Sequence, residues 1–392
     1  MTNVTKNTTA AVVAPQAPPS TPQQSTMLMQ ASNQWASRPA DQRFNSIDAL
    51  HAACTHHRDV AVEAVGVDLR TLRVGEAQFA DDEGTQRVEP VLIGASGVQS
   101  RFSHHAFGQL SRRIGAPADY LRKLPPAMAA TNLNHGLQHA EHNGNSDSLL
   151  FAQNGDLRLR ALVSKSYKRI WNTDVTSRLL ALVEQQPEWQ PAPAAFDGSR
   201  GLYASDADMF AFLVDNERRI FEKDSGGGLG RGFFVSNSEV GAGAFAITTF
   251  FYEYVCGNHR VWGASGVQEL RIRHVGNADE RAFAELSLEL RKYADGSAKD
   301  DEAKITAMRT KMLGTTKDEV LDAVFGLRVP TLTRKVIEQS YEVAEQYEDW
   351  YGTPSSVWAI TGGMTQVARD LSTASDRVAL ERAAGKVMQI AF

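Results

Sequence analysis

The stretch that decides the fold is GFFVSNSEVGAGAFAITTFFYEYVC, residues 232–256. Its two halves are rich in Phe, Val, Ile, Thr and Tyr, which are the residue types enriched in β-strands. Gly241 and Gly243 separate the two runs, and glycines at such a position are typical of a turn. We therefore predict two consecutive strands that belong to a mixed or antiparallel sheet.

The flanking sequence extends this prediction in both directions. Apolar and basic residues alternate from Asp156 to Val163, which predicts a half-buried strand with Arg158 and Arg160 on one exposed face. Thr173 to Glu184 has the pattern of a helix, and from Asp279 the chain becomes largely helical with charged faces. The expected fold class is α+β, with a mixed or antiparallel central sheet and a mainly helical C-terminal part.

Three regions are expected along the chain. Residues 1–42 are dominated by Ala, Pro, Gln, Ser and Thr, a composition that cannot bury enough apolar surface to offset chain entropy. We predict a disordered tail there. Residues 43–276 form the expected α+β core domain, and residues 277–392 form a helical region that packs on the core or mediates assembly.

The composition limits the class of protein and its compartment. The chain has 392 residues, a formal net charge of -5 and a pI near 6.1, which disfavours a wholly basic nucleic-acid coat but permits a basic face. Only Cys54 and Cys256 are present, and they form neither a disulfide framework nor a zinc pattern. No window approaches the roughly 20 apolar residues of a membrane helix. We expect a cytoplasmic protein without a membrane partner.

The segment from Leu157 to Thr173 combines cations with aromatic side chains and contains no acidic residue. Cations neutralise phosphates, and exposed aromatic rings stack on unpaired bases, each for about 1 to 3 kcal/mol. The alternative is a basic strand face whose aromatic rings turn into the core. The predicted nucleic-acid-binding residues are Arg158, Arg160, Lys165, Tyr167, Lys168, Arg169 and Trp171.

A glycine-rich segment, SGGGLGRG at residues 225–232, adds Arg231 to this set. Its backbone could approach a phosphate, but it lacks the Lys-Ser/Thr ending of a P-loop and the strand-to-helix setting of a dinucleotide site. We interpret it as a mobile hairpin tip or a DNA-contacting loop, and we predict no nucleotide or other cofactor.

Polar residues at the ends of the two central strands form a possible third site. Cys256 and His259 resemble a nucleophile and its base in residue type, but no spacing fixes their geometry. The alternative is structural: asparagines adopt turn conformations, Glu239 accepts backbone or arginine hydrogen bonds, and the cysteine is a buried apolar group. We favour the structural interpretation and predict no catalytic residue.

Histidines in one segment could in principle bind a metal ion. His135, His139 and His142 are spaced to lie on one side of a continuous helix. Gly136 and the Asn143-Gly144 pair weaken that helix, however. We predict no metal site.

Several motifs resemble one known family. These are LRLRALVSKSYKRIWN, FFVSNSEVGAGAF and FFYEYVCGNHRVWGA in the centre, FGQLSRRIGAPADYLRKLP upstream, and SSVWAITGGMTQVARD with ERAAGKVM downstream. Together they resemble the phage/plasmid-like family called domain of unknown function 932, over most of residues 90–390. The resemblance implies a gene of a phage, prophage or plasmid in a bacterial host, and it implies no catalytic residues. The residues that carry it most specifically are Asn237, Glu239, Gly241, Cys256, Asn258 and His259.

Three functional hypotheses remain open from the sequence. The first is a non-enzymatic protein of a mobile element that binds nucleic acid, with DNA as the expected partner, and assists replication or recombination by holding or annealing single strands. The second is an oligomeric assembly or host-interaction protein built on the helical C-terminal part. The third is a metal- or nucleotide-dependent enzyme that uses the polar ends of the central strands.

Overall fold

A computed structural model describes residues 42–80, 85–140, 147–191, 201–221, 228–253, 258–261, 270–295, 298–369, 371 and 374–392. The strands are β1 (Ala61–Val67), β2 (Arg73–Ala80), β3 (Gln86–Ile93), β4 (Gln99–Phe102), β5 (Asp147–Asn154), β6 (Asp156–Ser164), β7 (Trp189–Pro191), β8 (Leu202–Ala204), β9 (Met209–Asp215), β10 (Leu229–Asn237), β11 (Phe245–Glu253), β12 (Asn258–Val261) and β13 (Leu270–Ile272).

The helices are α1 (Ile47–Asp59), α2 (His104–Arg113), α3 (Ala118–Leu121), α4 (Pro126–Gln138), α5 (Asn172–Gln185), α6 (Ala278–Asp295), α7 (Ala298–Thr310), α8 (Lys317–Phe325), α9 (Arg334–Gln346), α10 (Glu348–Tyr351), α11 (Val357–Arg369) and α12 (Ala374–Met388). Hydroxyl side chains start several of them. Ser46 accepts a hydrogen bond from the backbone of α1, as its position before the apolar pattern predicts, and Ser103 does the same for α2. The combination of helices and strands confirms the α+β fold class.

The first sheet, which we call the N-terminal sheet, has the strand order β1-β5-β6-β4-β3-β2. All of its pairs are antiparallel except β4 with β6, which run parallel. A parallel pair needs a long crossover, and here α2, α3, α4 and β5 supply it. Helices α2 and α4 cover one face of the sheet, where Leu110 and Leu133 pack with Leu149 and Leu159.

The second sheet, which we call the C-terminal sheet, has the order β12-β11-β10-β9-β7, with β13 beside β11 and β8 beside β9. Strands β10 and β11 pair antiparallel from Leu229 with Glu253 to Ser236 with Ala246, as the opening stretch predicts. The described residues thus form two sheets, which are mixed and antiparallel, rather than one central sheet. Composition cannot reveal this division, because it depends on which strands pair.

Helices from both ends of the chain pack on the C-terminal sheet. Leu50 of α1, Leu179 of α5 and Ile305 of α7 share one buried cluster with Phe233 and Phe251 of the sheet. The later helices α8, α9, α11 and α12 bury their apolar faces mainly against one another. The buried cluster on the C-terminal sheet contains residues from both sides of position 276, such as Leu50 and Ile305, and the division into separate regions there stays a prediction.

Three further sequence predictions concern Gly136, the N-terminal tail and membrane-spanning helices. Helix α4 continues through Gly136, and a Cβ at that glycine would overlap the Ile114 side chain, so the glycine allows the close approach. The predicted tail lies outside the described residues, apart from residue 42. None of the helices that the structure describes combines the length and apolar character needed to cross a bilayer.

Candidate functional site: a buried polar junction and its exposed rim

The residues Asn237–Gly241, which we call the junction loop, begin at the last residue of β10 and lie between the two sheets. At their centre the Glu239 side chain is only 1% exposed and pairs with Arg160 of β6, with 3.0 Å between Oε2 and Nη2. The backbone N–H of Asn172 donates to its Oε1 at 2.8 Å, and Arg169 donates to its backbone oxygen. A buried carboxylate requires such compensation. The interpretation that Glu239 accepts arginine and backbone hydrogen bonds is confirmed.

The expectation of an exposed Arg160 is therefore wrong. Arg160 is only 3% exposed, because the turn that contains Asp206 covers this part of β6. The Nη2 of Arg160 also donates to the backbone oxygen of Asp206 in that turn. A bulge in the β5–β6 pairing, between Leu150 and Phe151, coincides with this position. Arg158 remains half-exposed and pairs with the Asp206 carboxylate at 3.2 Å.

The asparagine and serine of the junction loop are also structural. Asn237 donates to the backbone oxygen of Ile170 at 2.8 Å and to the side chain of Asn172 at 2.7 Å. The Ser238 hydroxyl donates to the backbone oxygen of Ala207 at 2.6 Å and accepts from Ala242 N at 2.9 Å. These bonds attach the loop to two separate segments of the chain, at residues 170–172 and at Ala207.

Helix α2 holds the far end of the junction loop. The Gln109 amide donates to the backbone oxygen of Val240 at 2.7 Å and accepts from the backbone of Leu162 at 2.9 Å, so it links the loop to β6. Gly241 has a φ of +81°, and a Cβ there would come within 3.6 Å of the Tyr167 ring. Glycine is therefore favoured at this position of the family motif.

The two aromatic rings of the predicted binding segment, Tyr167 and Trp171, contact other residues of the same chain. The Tyr167 hydroxyl donates to the backbone oxygen of Ser238 at 2.8 Å, and its ring stacks on His274 with 4.9 Å between centroids. The Trp171 ring has the guanidinium groups of Arg58 and Arg169 each at 5.4 Å. The structure thus uses both rings for cation–π and stacking contacts within the chain.

Two of the predicted phosphate-binding cations are buried as well. Arg169 is 8% exposed and pairs with Glu63 of β1 at 2.7 Å. Arg231 lies in β10 rather than in a loop, is 2% exposed and pairs with Asp301 at 2.8 Å. Its guanidinium also lies 4.3 Å from the ring centroid of Tyr293. Both ion pairs join distant segments of the fold, and the glycines at 226–227 lie outside the described residues.

Burial around the junction keeps its histidines neutral. Burial lowers the pKa of His57, and the neighbouring Arg160 charge lowers it further. Burial also lowers the pKa of His105, whose Nε2 lies 3.2 Å from the Val240 oxygen, and lowers the pKa of His274 to about 4. Burial, and secondarily the Glu239 charge, raises the pKa of the Cys54 thiol to about 12, so this cysteine is not a thiolate nucleophile.

Three buried polar atoms of the same network have no hydrogen-bond partner within the described part of the chain. They are Arg160 Nη1, Asn237 Oδ1 and His57 Nδ1. They comprise a donor, an acceptor and a ring nitrogen that can serve as either.

The remaining motif residues lie at the margin of the described structure. Cys256 is outside the described residues, and Asn258 and His259 are placed by their backbone alone, in β12 opposite Glu253 and Tyr252. His135 and His139 have ring centroids 4.3 Å apart at the end of α4, and His142 lies outside the described residues. Among the residues that the structure describes, no group of three or more His, Cys, Asp and Glu is suited to a metal ion.

An exposed basic rim borders the junction. We define it as Lys165, Lys168 and Arg273, all solvent-exposed. The backbone N–H of Lys168 donates to the His274 oxygen at 2.8 Å, and Tyr167 forms a β-bridge with Val275, so the two segments of the rim lie side by side. The Lys168 ammonium lies 3.4 Å from Asp279.

Sequence reasoning missed Glu63, Gln109 and Arg273. Glu63 accepts a hydrogen bond from Arg169, 106 positions away, and Gln109 accepts one from Leu162, 53 positions away. No local periodicity indicates such contacts. Arg273 belongs to a strand-like alternation in the sequence. Its position beside Lys168, however, depends on the backbone hydrogen bond between Lys168 and His274, which are far apart in the chain.

Comparison with known proteins gives one family match. The family model described as domain of unknown function (DUF932) matches residues 160–383, from the buried Arg160 to the last long helix. No curated protein and no solved structure is matched by the chain. The matched region covers more than half of the 392 residues and contains the junction loop with its partners on β6 and α5. The chain therefore belongs to the family of domain of unknown function 932.

Proposed function

We propose that this protein binds nucleic acid, with DNA as the expected partner, and that the basic rim is the contact surface. The observation that carries the proposal is the convergence of Lys165, Lys168 and Arg273 on two neighbouring exposed segments. Clustered exposed cations are the electrostatic footprint of phosphate binding, even on a chain with net negative charge.

The buried junction supports this proposal because it fixes the backbone that carries the rim. Tyr167 and Arg169 flank Lys168, and both hydrogen bond to the junction loop. A cation on a fixed backbone loses less conformational entropy on binding than one on a free loop. The ion pair of Lys168 with Asp279 is half-exposed, so exchange of the carboxylate for a phosphate costs little.

The proposed contact differs in kind from the one that the sequence suggests. Because Tyr167 and Trp171 are engaged by His274, Arg58 and Arg169, they contribute no stacking platform for bases to the proposal. The contact is with the sugar-phosphate backbone, which carries no sequence information by itself. Duplex and single-stranded DNA are then both ligands, and the holding or annealing of single strands is one use of such a surface.

The family resemblance provides the biological setting of the proposal. A gene of a phage, prophage or plasmid would place the protein in the cytoplasm of a bacterial host, where it would assist replication or recombination of the mobile element. Weak, sequence-independent backbone binding suits a protein that must act anywhere along a replicating genome.

The test is the salt dependence of binding to labelled single-stranded and duplex DNA of equal length. Replacement of all three rim cations by alanine removes up to three phosphate contacts. The slope of log K against log salt is negative, and it is expected to become shallower by about 2 to 3. The matched control, Lys299→Ala with Lys311→Ala and Lys335→Ala, removes three exposed charges from the helical part of the chain. Equal binding by the rim variant and the control, or no binding by the wild type at low salt, would refute the proposal.

A second candidate, the assembly or host-interaction protein, is favoured by exposed apolar side chains in the C-terminal helices. Phe325 at the end of α8 is 50% exposed and Trp350 of α10 is 42% exposed. Static light scattering of the wild type and of Phe325→Ser with Trp350→Ser tests this candidate. A mass that is unchanged by the double substitution would exclude these side chains from an interface.

A further inference from the structure

Helix α4 (Pro126–Gln138) carries two histidines at its C-terminal end, one turn apart. His135 lies in the last turn, and His139 is the residue that ends the helix. Both are exposed to solvent, and their ring centroids are 4.3 Å apart with an interplanar angle of 36°. Residues at positions i and i+4 of a helix lie on one face. The two imidazoles are therefore neighbours on an accessible surface.

The helix is regular where the two histidines lie. From the sequence, Gly136 is expected to weaken this helix and so to count against a metal site. Helix α4 nevertheless runs through Gly136, and the backbone N–H of His139 donates to the backbone oxygen of His135 at 3.2 Å. This contact is the ordinary hydrogen bond between positions four apart in an α-helix. The pair His135 and His139 therefore keeps the spacing that a chelate requires.

A second hydrogen bond fixes the ring of His139. Its Nδ1 lies 2.8 Å from the backbone oxygen of His135. A carbonyl oxygen only accepts hydrogen bonds, so in the neutral ring Nδ1 carries the proton and Nε2 carries the lone pair. Histidines that bind metals almost always donate their other ring N–H to a carbonyl, a carboxylate or water, which fixes the tautomer and the ring orientation. His139 has this arrangement, with Nε2 as its ligand atom.

We propose that His135 and His139 together bind one divalent transition-metal ion of the class of Zn²⁺, Ni²⁺ and Cu²⁺. Neutral imidazole suits these ions, whereas Mg²⁺ and Ca²⁺ take oxygen ligands. Two bonds of about 2.0 to 2.1 Å to one ion bring the imidazole nitrogens to about 3 Å from each other. The separation of 4.3 Å between the ring centroids permits this approach. Water completes the coordination, because the pair is exposed.

The bound ion would act as a staple across the last turn of α4. This helix is attached to the N-terminal sheet through Asn134, whose side chain accepts from the backbone N–H of Val74 and donates to the Val74 oxygen, each at 2.8 Å. A ligand that binds the folded protein alone stabilises it. The site uses no residue of the basic rim or of the junction loop, and the proposal does not depend on nucleic-acid binding.

Isothermal titration calorimetry with Zn²⁺, on the full chain prepared without a polyhistidine tag, tests the site. Replacement of either histidine leaves a single imidazole, so His135→Ala and His139→Ala are each expected to weaken Zn²⁺ binding by about tenfold or more. His104→Ala is the matched control, because His104 is an exposed helical histidine with glycine, not histidine, four positions later. It is expected to bind Zn²⁺ as the wild type does.

Electron paramagnetic resonance with Cu²⁺ identifies the ligands directly. The wild type is expected to show hyperfine coupling to two imidazole nitrogens, and each single variant to one, while far-ultraviolet circular dichroism verifies that the variants are folded. Equal Zn²⁺ affinities of the wild type and both variants, or an equal loss of affinity in His104→Ala, would overturn the proposal. The same number of coupled nitrogens in the wild type and in His139→Ala would also overturn it.

Discussion

Replacement of Glu239 by leucine is expected to destabilise the protein more than most single substitutions. The change leaves the Arg160 guanidinium, whose side chain is 4% exposed, without its carboxylate. Removal of one partner of a buried pair costs about 3 to 5 kcal/mol. The backbone N–H of Asn172 also loses its acceptor, which adds about 1 kcal/mol. The free energy of unfolding should therefore fall by about 4 to 6 kcal/mol.

Removal of both charges separates this effect from a loss of packing. In the double variant Arg160→Met with Glu239→Leu no buried charge is left uncompensated, so it should be more stable than Glu239→Leu alone. Urea unfolding followed by circular dichroism measures Glu239→Leu, Arg160→Met and the double variant against the wild type. The reasoning is refuted if Glu239→Leu costs less than about 1 kcal/mol, or if the two single effects simply add in the double variant.

Two further predictions concern acid sensitivity and close packing. The pKa of His274 is lowered to about 4 from its ordinary 6.5, so its contribution to stability is complete above about pH 6.5 and is lost as the pH falls toward 4. Between pH 7.5 and pH 5 the wild type should lose about 2 kcal/mol more than His274→Phe, measured by urea unfolding, and identical losses would contradict this. A Cβ at Gly363 of α11 would overlap the backbone oxygen of Ser340 in α9. Gly363→Ala should cost about 1 to 3 kcal/mol in thermal unfolding, whereas Gly243→Ala, with open space at its Cβ, should be nearly neutral, and equal melting temperatures would refute this account.

Local patterns predict many of the elements of this fold. The alternation at β6, the apolar periodicity of α5 and the aromatic and β-branched runs of β10 and β11 all coincide with the structure. The exposure of individual side chains is not predictable in this way. Arg158 and Arg160 occupy equivalent positions in the alternating pattern of β6, yet only Arg160 is buried. The local pattern does not predict this burial, because the carboxylate that pairs with Arg160 lies 79 residues away.

The division into two sheets also depends on contacts between residues that are far apart in the sequence, so local patterns do not predict it. Each strand is visible as a local pattern, but the pairing of β4 with β6 brings together residues more than 50 positions apart. The function of the aromatic rings was ambiguous for a related reason. Tyr167 and Trp171 have the residue types of a stacking surface, and only the positions of His274 and Arg58 show that the rings contact other residues of the same chain.

The separation between Arg160 and Glu239 also has a consequence during synthesis. The ribosome must add 79 residues after Arg160 before its carboxylate partner exists. At about 5 to 20 residues per second, this takes about 4 to 16 seconds, and passage through the exit tunnel adds to that time. Throughout this interval the growing chain holds a strand with an unmatched cation and an uncovered face. The buried ion pair between the two sheets can therefore form only after the junction loop has been synthesised.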